Sequence, residues 1–207
     1  MIRTVETVIS KLTFSHSDGA RSLMELTESA IAPLASCADR IGGVVAATFS
    51  NRERFPSLSA KVAEMLKLPT AVPAFDLNMA CSAYPYALYL ASKIAADSSM
   101  PVLVVDGDAQ LRLVDRSDHA TGSIFSDAVS ATLVNVSEGG CSHWSFFTRA
   151  NNALSCSESG PIRMDGMAVF SFVAKDVQSM MREFINKSDP FDWFAPHQAN
   201  AYMVRQL

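Results

Sequence analysis

Blocks of basic residues are missing from this sequence of 207 residues. Its 17 Lys and Arg residues are scattered among 21 acidic residues, which gives a net charge of −4 and an isoelectric point near 5.5. This balance argues against a general nucleic-acid binder and against binding to anionic membranes. A continuous apolar run of about 18 residues is also missing, so we expect no transmembrane helix. The start, MIRTVETVISKL, lacks the apolar segment of a signal peptide.

Cysteine is scarce and has no motif spacing. The four cysteines form no CxxC pair and no Cys/His pattern of a zinc site, so we expect no metal. So few cysteines favour a reducing, cytoplasmic compartment over a disulfide framework. Apolar residues, in contrast, are abundant: 49% of residues are hydrophobic and 18% charged, which is typical of a globular protein with a buried core.

Apolar patterns of helical and strand period alternate along the chain, which predicts an α/β fold with a largely parallel sheet. The predicted helices cover residues 23–34, 57–68, 82–97 and 166–185. The predicted strands cover residues 41–49, 72–77, 101–107, 128–136, 143–150 and 191–197. The segment SEGGCS, residues 137–142, breaks the pattern and is interpreted as a connection between two halves.

Cys81 lies where a predicted strand gives way to a helix, in the stretch DLNMACSAYPYALYLASKIA. Chemistry in α/β sheets collects where strand carboxyl ends meet helix amino ends. A helix N-terminus is expected to lower the pKa of a thiol, because its partial positive charge favours the thiolate. Small neighbours such as Ala80 and Ser82 permit a tight turn. The alternative is that Cys81 is a small buried hydrophobe, as most free cysteines are.

Of the four histidines, His197 has the most suggestive position, because it follows the predicted strand 191–197 at a second strand-to-helix turn. A cysteine and a histidine at corresponding turns of two halves would face a shared crevice and suit a nucleophile with a base or donor. We expect His16 to be a solvated loop residue and His143 to be structural at the start of a strand. His119 lies in a predicted loop, where it contacts either a ligand or nothing.

The two site motifs, AFDLNMACSAYPYAL and APHQAN, resemble those of the β-ketoacyl-acyl-carrier-protein synthase III family of the thiolase superfamily. Segments between them, such as VLVVDGDAQLRLVDRSDHATGSIFSDAVSATLV, are similar to the family in the family's order. The resemblance implies a thiolase-like layered αβαβα fold whose second half is incomplete. It implies a nucleophile half over residues 1–138 and the start of a histidine half over residues 139–207.

The resemblance also implies an activity: condensation of an acyl thioester with malonyl-acyl-carrier protein, without metal or redox cofactor. In this scheme Cys81 carries the acyl group, and His197 assists decarboxylation and stabilises the enolate oxygen. The implied substrates and partners are acyl-coenzyme A and acyl-carrier protein, and the implied assembly is a homodimer.

The same resemblance assigns binding roles to four further residues. Phe55 matches a loop residue that lines the partner subunit's acyl pocket, and Phe125 matches a pocket wall. Core packing is the competing interpretation for both, and the favoured one for Phe125. His119 stands where the family has a basic residue near the adenine site, and Asn200 closes the HQAN motif, where we expect it to orient the turn.

Several family features are missing from the sequence. No segment resembles the family's GNTSA-type asparagine motif or its glycine-rich oxyanion loop, and the family's opening strand with its Trp/Arg loop is lacking or reduced to MIRTV. Tyr202 replaces an arginine that docks the carrier protein, and SDAVS replaces GDGAG. Loss of one oxyanion-type donor costs about 10²–10³ in rate. We therefore expect a fragment of a longer synthase or a degenerate homologue.

Two other interpretations remain open at this stage. The first is a non-catalytic, synthase-like subunit that pairs with a complete synthase through the strand around 101–106 and its neighbours. The second is another enzyme of the superfamily, of the thiolase or hydroxymethylglutaryl-coenzyme A synthase type, although the HQAN motif favours synthase III. A cysteine protease is disfavoured because no protease motif is present.

Overall fold

The computed structural model describes residues 5–119, 121–157 and 160–205. The chain divides into two compact units. The first unit comprises Met1–Leu111 with Ser126–Ser142, and the second comprises Arg112–Phe125 with His143–Leu207. The predicted boundary between residues 138 and 139 stays a prediction. In the part of the chain that is described, no helix has both the length and the apolar character needed to cross a membrane.

A five-stranded mixed sheet forms the first unit, in the order β1-β5-β4-β2-β3. Strands β2, β3 and β4 are parallel, whereas β5 runs antiparallel to both β4 and β1. The strands are β1 (Val5–Ser17), β2 (Gly43–Ala47), β3 (Ala74–Leu77), β4 (Val102–Asp108) and β5 (Asp127–Glu138). The helices of this unit are α1 (Leu23–Ile31), α2 (Leu58–Met65) and α3 (Ala83–Ser98), and a 3₁₀ segment (Ala32–Arg40) extends α1.

Both faces of the sheet are buried at its central strands, β2 and the first half of β4, which explains why these strands are continuous apolar runs. Successive residues of β4 point to opposite sides: Leu103 and Val105 pack with α1 and α2, whereas Val102 and Val104 pack with α3. The α3 side is lined by small residues such as Ala87 and Ala91, so this helix can approach the sheet closely.

Most elements predicted in the first unit are confirmed, and their ends follow from local chemistry. Ser57 caps α2, as predicted, by accepting a hydrogen bond from the Ala60 N–H. The predicted apolar face of α2 is buried at Leu58, Val62 and Leu66, and Met65 is partly buried. The predicted helix around 23–34 is α1 followed by the 3₁₀ segment.

Strand β1 was not predicted from the sequence, whereas the expected loss of the family's opening strand stays a prediction. Strand β1 extends to Ser17 and pairs with β5 along its whole length, apart from a register shift between Ile9 and Lys11. His16 accordingly lies in this strand opposite Ala128, not in a loop, although it is exposed as expected. The sequence signal is weak because β1 is an edge strand whose large apolar residues, such as Phe14, remain exposed.

The second unit contains little sheet: β6 (Leu154–Ser155) pairs antiparallel with β7 (Arg163–Met164). The predicted helix 166–185 is confirmed as α4 (Gly166–Phe172), a π-helical turn (Val173–Val177) and α5 (Gln178–Lys187). A last helix, α6, covers Ala201–Val204.

Two strands predicted for the second unit are wrong, because residues 143–150 and 191–197 are both irregular. Their aromatic residues suggested buried strands, but these side chains are largely exposed; Trp193, for example, is 91% exposed. An isolated strand has no ladder hydrogen bonds, so apolar composition alone does not create one. His143 therefore does not open a strand; it lies 3.5 Å from the Asp189 carboxylate.

The strand around 101–106 has no free side for edge-to-edge pairing with a partner chain, and pairing through its neighbours stays a prediction. This strand, β4, is hydrogen-bonded to β2 on one side and to β5 on the other. The edge strand on the parallel side is β3, which within the described part of the chain pairs with β2 alone.

The start of α1 is fixed by a capping box, which yields a test of local stability. The Ser22 hydroxyl accepts from the Glu25 N–H at 3.2 Å, and the Glu25 carboxylate accepts from the Ser22 N–H at 2.7 Å. We expect Ser22→Ala to lower the free energy of unfolding by about 1 kcal/mol, whereas Ser22→Asp, which keeps a capping oxygen, retains most of it. Urea unfolding of both variants checks this, and equal losses in the two would contradict the capping role.

Candidate active site

Cys81 lies on a tight turn between β3 and α3, as the sequence predicted. A single 3₁₀ turn, Ala80–Ser82, separates the strand from the helix, and the Ser82 N–H and hydroxyl both bond to the Met79 carbonyl. Ala80 has φ of +48°, a left-handed conformation that costs a non-glycine residue about 1 kcal/mol. The strained turn leaves Cys81 exposed, whereas Cys37 is buried in the core. The geometry therefore favours a presented thiol over a packed one.

The pKa of the Cys81 thiol is raised, contrary to the expectation that the helix N-terminus lowers it. Desolvation by the surrounding protein is the main cause, a hydrogen bond with the cysteine backbone opposes it, and the charge of Asp108 adds to the rise. The residue is exposed as a whole, but its pKa responds to all protein atoms around the sulfur. The thiol is consequently mostly protonated at neutral pH, and a base must accept its proton before it can attack.

Asp108 organises the chain that leaves β2. One of its carboxylate oxygens, Oδ1, accepts hydrogen bonds from the Thr48 hydroxyl at 2.6 Å, the Phe49 N–H at 2.9 Å and the Ser50 N–H at 3.0 Å. The Ser50 hydroxyl in turn accepts from the Ala109 N–H at 2.9 Å. Bonds to an ionised acceptor are stronger than neutral ones, so these contacts join the ends of β2 and β4 firmly.

Asp106 is a second acidic residue at the same end of the sheet, where the parallel strands finish. Burial raises its pKa from 3.8 to about 6, and the neighbouring charge of Asp108 contributes to this rise. Tyr84, on α3, lies close enough to be influenced by Asp106; burial raises the pKa of its phenol, and its hydroxyl pairs with the Thr132 hydroxyl at 3.1 Å. This group was not predicted from the sequence. The available signal was VVDGD, in which acidic residues end a buried parallel strand.

Phe55 lies in the loop between β2 and α2, and its side chain is 85% exposed. Its peptide bond to Pro56 is cis. The alternative that Phe55 is a core residue is wrong, because its side chain is exposed. Phe125, in contrast, is half-buried in the irregular segment that precedes β5.

The remaining predicted site residues lie in the second unit. His197 is exposed in the irregular segment before α6, and His119 is exposed in a turn. Asn200 caps α6: its Oδ1 accepts from the Met203 N–H at 2.9 Å. This bond gives Asn200 a role in shaping the turn. Cys81 lies in the first unit and His197 in the second, and their pairing remains a prediction.

Comparisons with known proteins agree with this architecture. The family model of 3-oxoacyl-(acyl-carrier-protein) synthase III matches residues 75–152, which include Cys81 and the acidic end of β4. Beta-ketoacyl-(acyl-carrier-protein) synthase III of Actinobacillus pleuropneumoniae serotype 5b (strain L20) is 32% identical over 177 residues, which are 78% of this chain and 55% of the relative. The same enzyme of Haemophilus influenzae (strain PittGG) is 29% identical with the same coverage.

A solved structure shows the fold. The crystal structure of 3-oxoacyl-(acyl carrier protein) synthase III from Pseudomonas aeruginosa PAO1 matches with a TM-score of 0.79 and 20% identity, over 97% of this chain and 78% of that chain. The fold is thus of the thiolase-like α/β class, as predicted. The chain belongs to the 3-oxoacyl-acyl-carrier-protein synthase III family. It spans about half the length of the curated relatives it matches.

The raised pKa of Asp106 predicts how stability depends on pH. Between about pH 4 and pH 6 the folded chain holds a proton that the unfolded chain has released, so stability falls as the pH rises through this range. Asp106→Asn removes this loss. We expect the variant and the parent to be similarly stable at pH 4, and the variant to be more stable at pH 7.5 by on the order of 2 kcal/mol. Urea unfolding at both pH values checks this, and a difference independent of pH would refute the assignment.

Proposed function

We propose that the protein acts as an acyltransferase of the condensing type, in fatty-acid or related polyketide synthesis. The observation that carries the proposal is the exposed Cys81 thiol, held on a strained turn where a parallel strand meets a helix. Strain of this kind concentrates at functional sites, because the surrounding structure must maintain it. The family supplies the reaction class, and the turn supplies the nucleophile.

The proposed reaction has two stages, and both balance without an oxidant or a metal. In the first, the Cys81 sulfur attacks the carbonyl of an acyl-coenzyme A thioester, and the coenzyme A thiol leaves with the proton of Cys81. In the second, malonyl-acyl-carrier protein loses carbon dioxide, and the resulting carbanion attacks the acyl-cysteine. The new carbon–carbon bond gives a 3-oxoacyl-carrier protein, and the Cys81 thiolate is released and takes up a proton.

His197 is proposed as the group that assists the second stage by donating a hydrogen bond to the developing enolate oxygen. A donor aimed at the charge that forms in the transition state is usually the largest single contribution to such steps. Phe55 is proposed to line the acyl pocket of the partner subunit, Phe125 to form a wall of the acyl pocket, and His119 to lie near the adenine of coenzyme A. Asn200 is proposed to hold the His197 turn through its cap of α6.

The proposal includes a homodimer in the cytoplasm, without a resident cofactor. Support for the dimer comes from β3, which leads directly into the Cys81 turn and, among the described strands, pairs on one side only. The carbonyls of Pro73 and Leu77 bond to β2, so the alternating pattern turns the backbone of Ala74 away from β2. Such an edge can add a strand from a second copy of the chain.

Acylation of Cys81 is the first test of the proposed function. We expect intact mass spectrometry after incubation of the 207-residue chain with acetyl-coenzyme A to show one acetyl adduct. The adduct should persist in Cys156→Ala, which removes another exposed thiol, and disappear in Cys81→Ala. His197→Ala should still acylate but lose about 10²–10³ in the rate of carbon dioxide release from malonyl-acyl-carrier protein. A folded parent without any adduct would instead indicate a non-catalytic subunit.

The dimer has its own test at the β3 edge. Ala74→Pro removes an N–H that makes no ladder bond to β2, and proline is tolerated at such edge positions. We expect the parent to be a dimer and the variant to be largely monomeric, with a similar melting temperature. Light scattering coupled to size-exclusion chromatography measures both masses. A variant that stays dimeric would argue against pairing through β3.

A further inference from the structure

The loop between β2 and α2, residues 48–57, is tied down at both ends by carboxylates from neighbouring strands. At its start, Asp108 of β4 accepts the three hydrogen bonds from Thr48, Phe49 and Ser50 described above. Two of these three donors are backbone N–H groups, so the bonds fix the path of the chain and not only one side chain. The loop therefore leaves β2 in a defined direction.

At the other end, Asp76 of β3 receives the loop as it enters α2. Its two carboxylate oxygens accept separately from the Leu58 N–H and the Ser59 N–H, each at 2.9 Å. These are N–H groups of the first turn of α2, which have no partners within the helix, and the adjacent helix N-terminus favours a negative charge. Glu53, which lies between the two anchors, pairs through its carboxylate with the ammonium group of Lys61 on α2.

The anchored loop contains two phenylalanines, of which Phe49 is half-buried and Phe55 is held exposed. Exposure of an isolated apolar residue is common, but here the backbone on both sides is fixed by charge-assisted bonds. A fixed loop gives the phenyl ring a defined position, whereas an untethered loop would let the ring move away from any ligand. The anchors thus act on Phe55 without contacting it.

We propose that Asp108 and Asp76 are positioning residues that fix the 48–57 loop and, through Phe55, set the acyl-chain length that Cys81 of the partner subunit accepts. This inference rests on the proposed function and its homodimer, because it takes Phe55 as a wall of the partner subunit's acyl pocket. Asp106, two residues before Asp108 on the same strand, has no described bond to the loop, so it serves as the matched control. Release of the loop should enlarge the pocket and favour longer chains.

Limited proteolysis tests the anchoring independently of activity. Arg52 and Arg54 are exposed trypsin sites within the loop, and Arg40 is an exposed site outside it. We expect Asp108→Ala to speed cleavage after Arg52 and Arg54 by about tenfold, with cleavage after Arg40 changed less than twofold, because only a local segment opens. Asp76→Ala should act in the same direction, and Asp106→Ala should leave loop cleavage unchanged.

Acyl-chain selectivity tests the functional part with a readout that general destabilisation does not change. The ratio of Cys81 acylation rates with octanoyl- and acetyl-coenzyme A should rise about tenfold in Asp108→Ala and in Phe55→Ala. If Asp108 acts through Phe55, the double variant should show no larger ratio than Phe55→Ala alone. If Asp108→Ala does not fold, Asp108→Asn, which keeps a weaker acceptor, should shift the ratio in the same direction.

The outcomes separate the two proposals. A parent chain that neither thioester acylates overturns the proposed function and the selectivity role with it. Normal acylation of the parent, together with unchanged loop cleavage in Asp108→Ala and Asp76→Ala, overturns the anchoring. Faster loop cleavage with an unchanged chain-length ratio overturns the link to selectivity. Increased loop cleavage, together with a ratio that Asp108→Ala raises in the parent but does not raise further in Phe55→Ala, supports the inference.

Discussion

Burial of the parallel strands on both faces is the constraint on which the rest of the first unit depends. Strands β2 and β4 have helices on each side, so their interior positions admit only apolar side chains, and polar groups are confined to the strand ends. The carboxyl ends of the three parallel strands lie side by side, which brings Thr48, Asp106 and the Cys81 turn to the same end of the sheet. Polar and reactive side chains are found at this end because the buried core excludes them.

The same burial raises the free energy of charged groups at this end of the sheet. Two carboxylates on alternate residues of one strand are partly desolvated, and the pKa of Asp106 rises because its charged form is poorly solvated and lies near Asp108. Asp108 offsets the cost by accepting three hydrogen bonds, whereas no such set is described for Asp106. One member of the pair thus has a structural use for its charge. Asp106 has the destabilised charge, and acidic pairs with such unequal environments are typical of functional sites.

From α1 onward, the order of helices and strands in the first unit could be predicted from the sequence because buried parallel strands have a strong local signature. The position of Cys81 at a strand-to-helix turn followed from the same pattern. Strand β1 could not be predicted, because its apolar residues alternate poorly and its partner lies more than a hundred residues away in β5. The Asp108 network was also out of reach, since it joins residues about 60 positions apart. The direction of the Cys81 pKa shift was mispredicted because desolvation, a tertiary effect, outweighed the local effect of the helix N-terminus.

A raised thiol pKa fits acyl transfer better than it first suggests. The thiolate fraction at neutral pH falls as the pKa rises, but the intrinsic nucleophilicity of the thiolate increases, so the two effects partly cancel. A thiol of higher pKa is also a poorer leaving group, so its thioester should lose the acyl group less readily to weak nucleophiles such as water. Such a thioester would react mainly with a strong nucleophile, such as the carbanion formed by decarboxylation. On this view the negative charge of Asp108 beside Cys81 is compatible with the proposed chemistry, provided that a base takes the proton during the first attack.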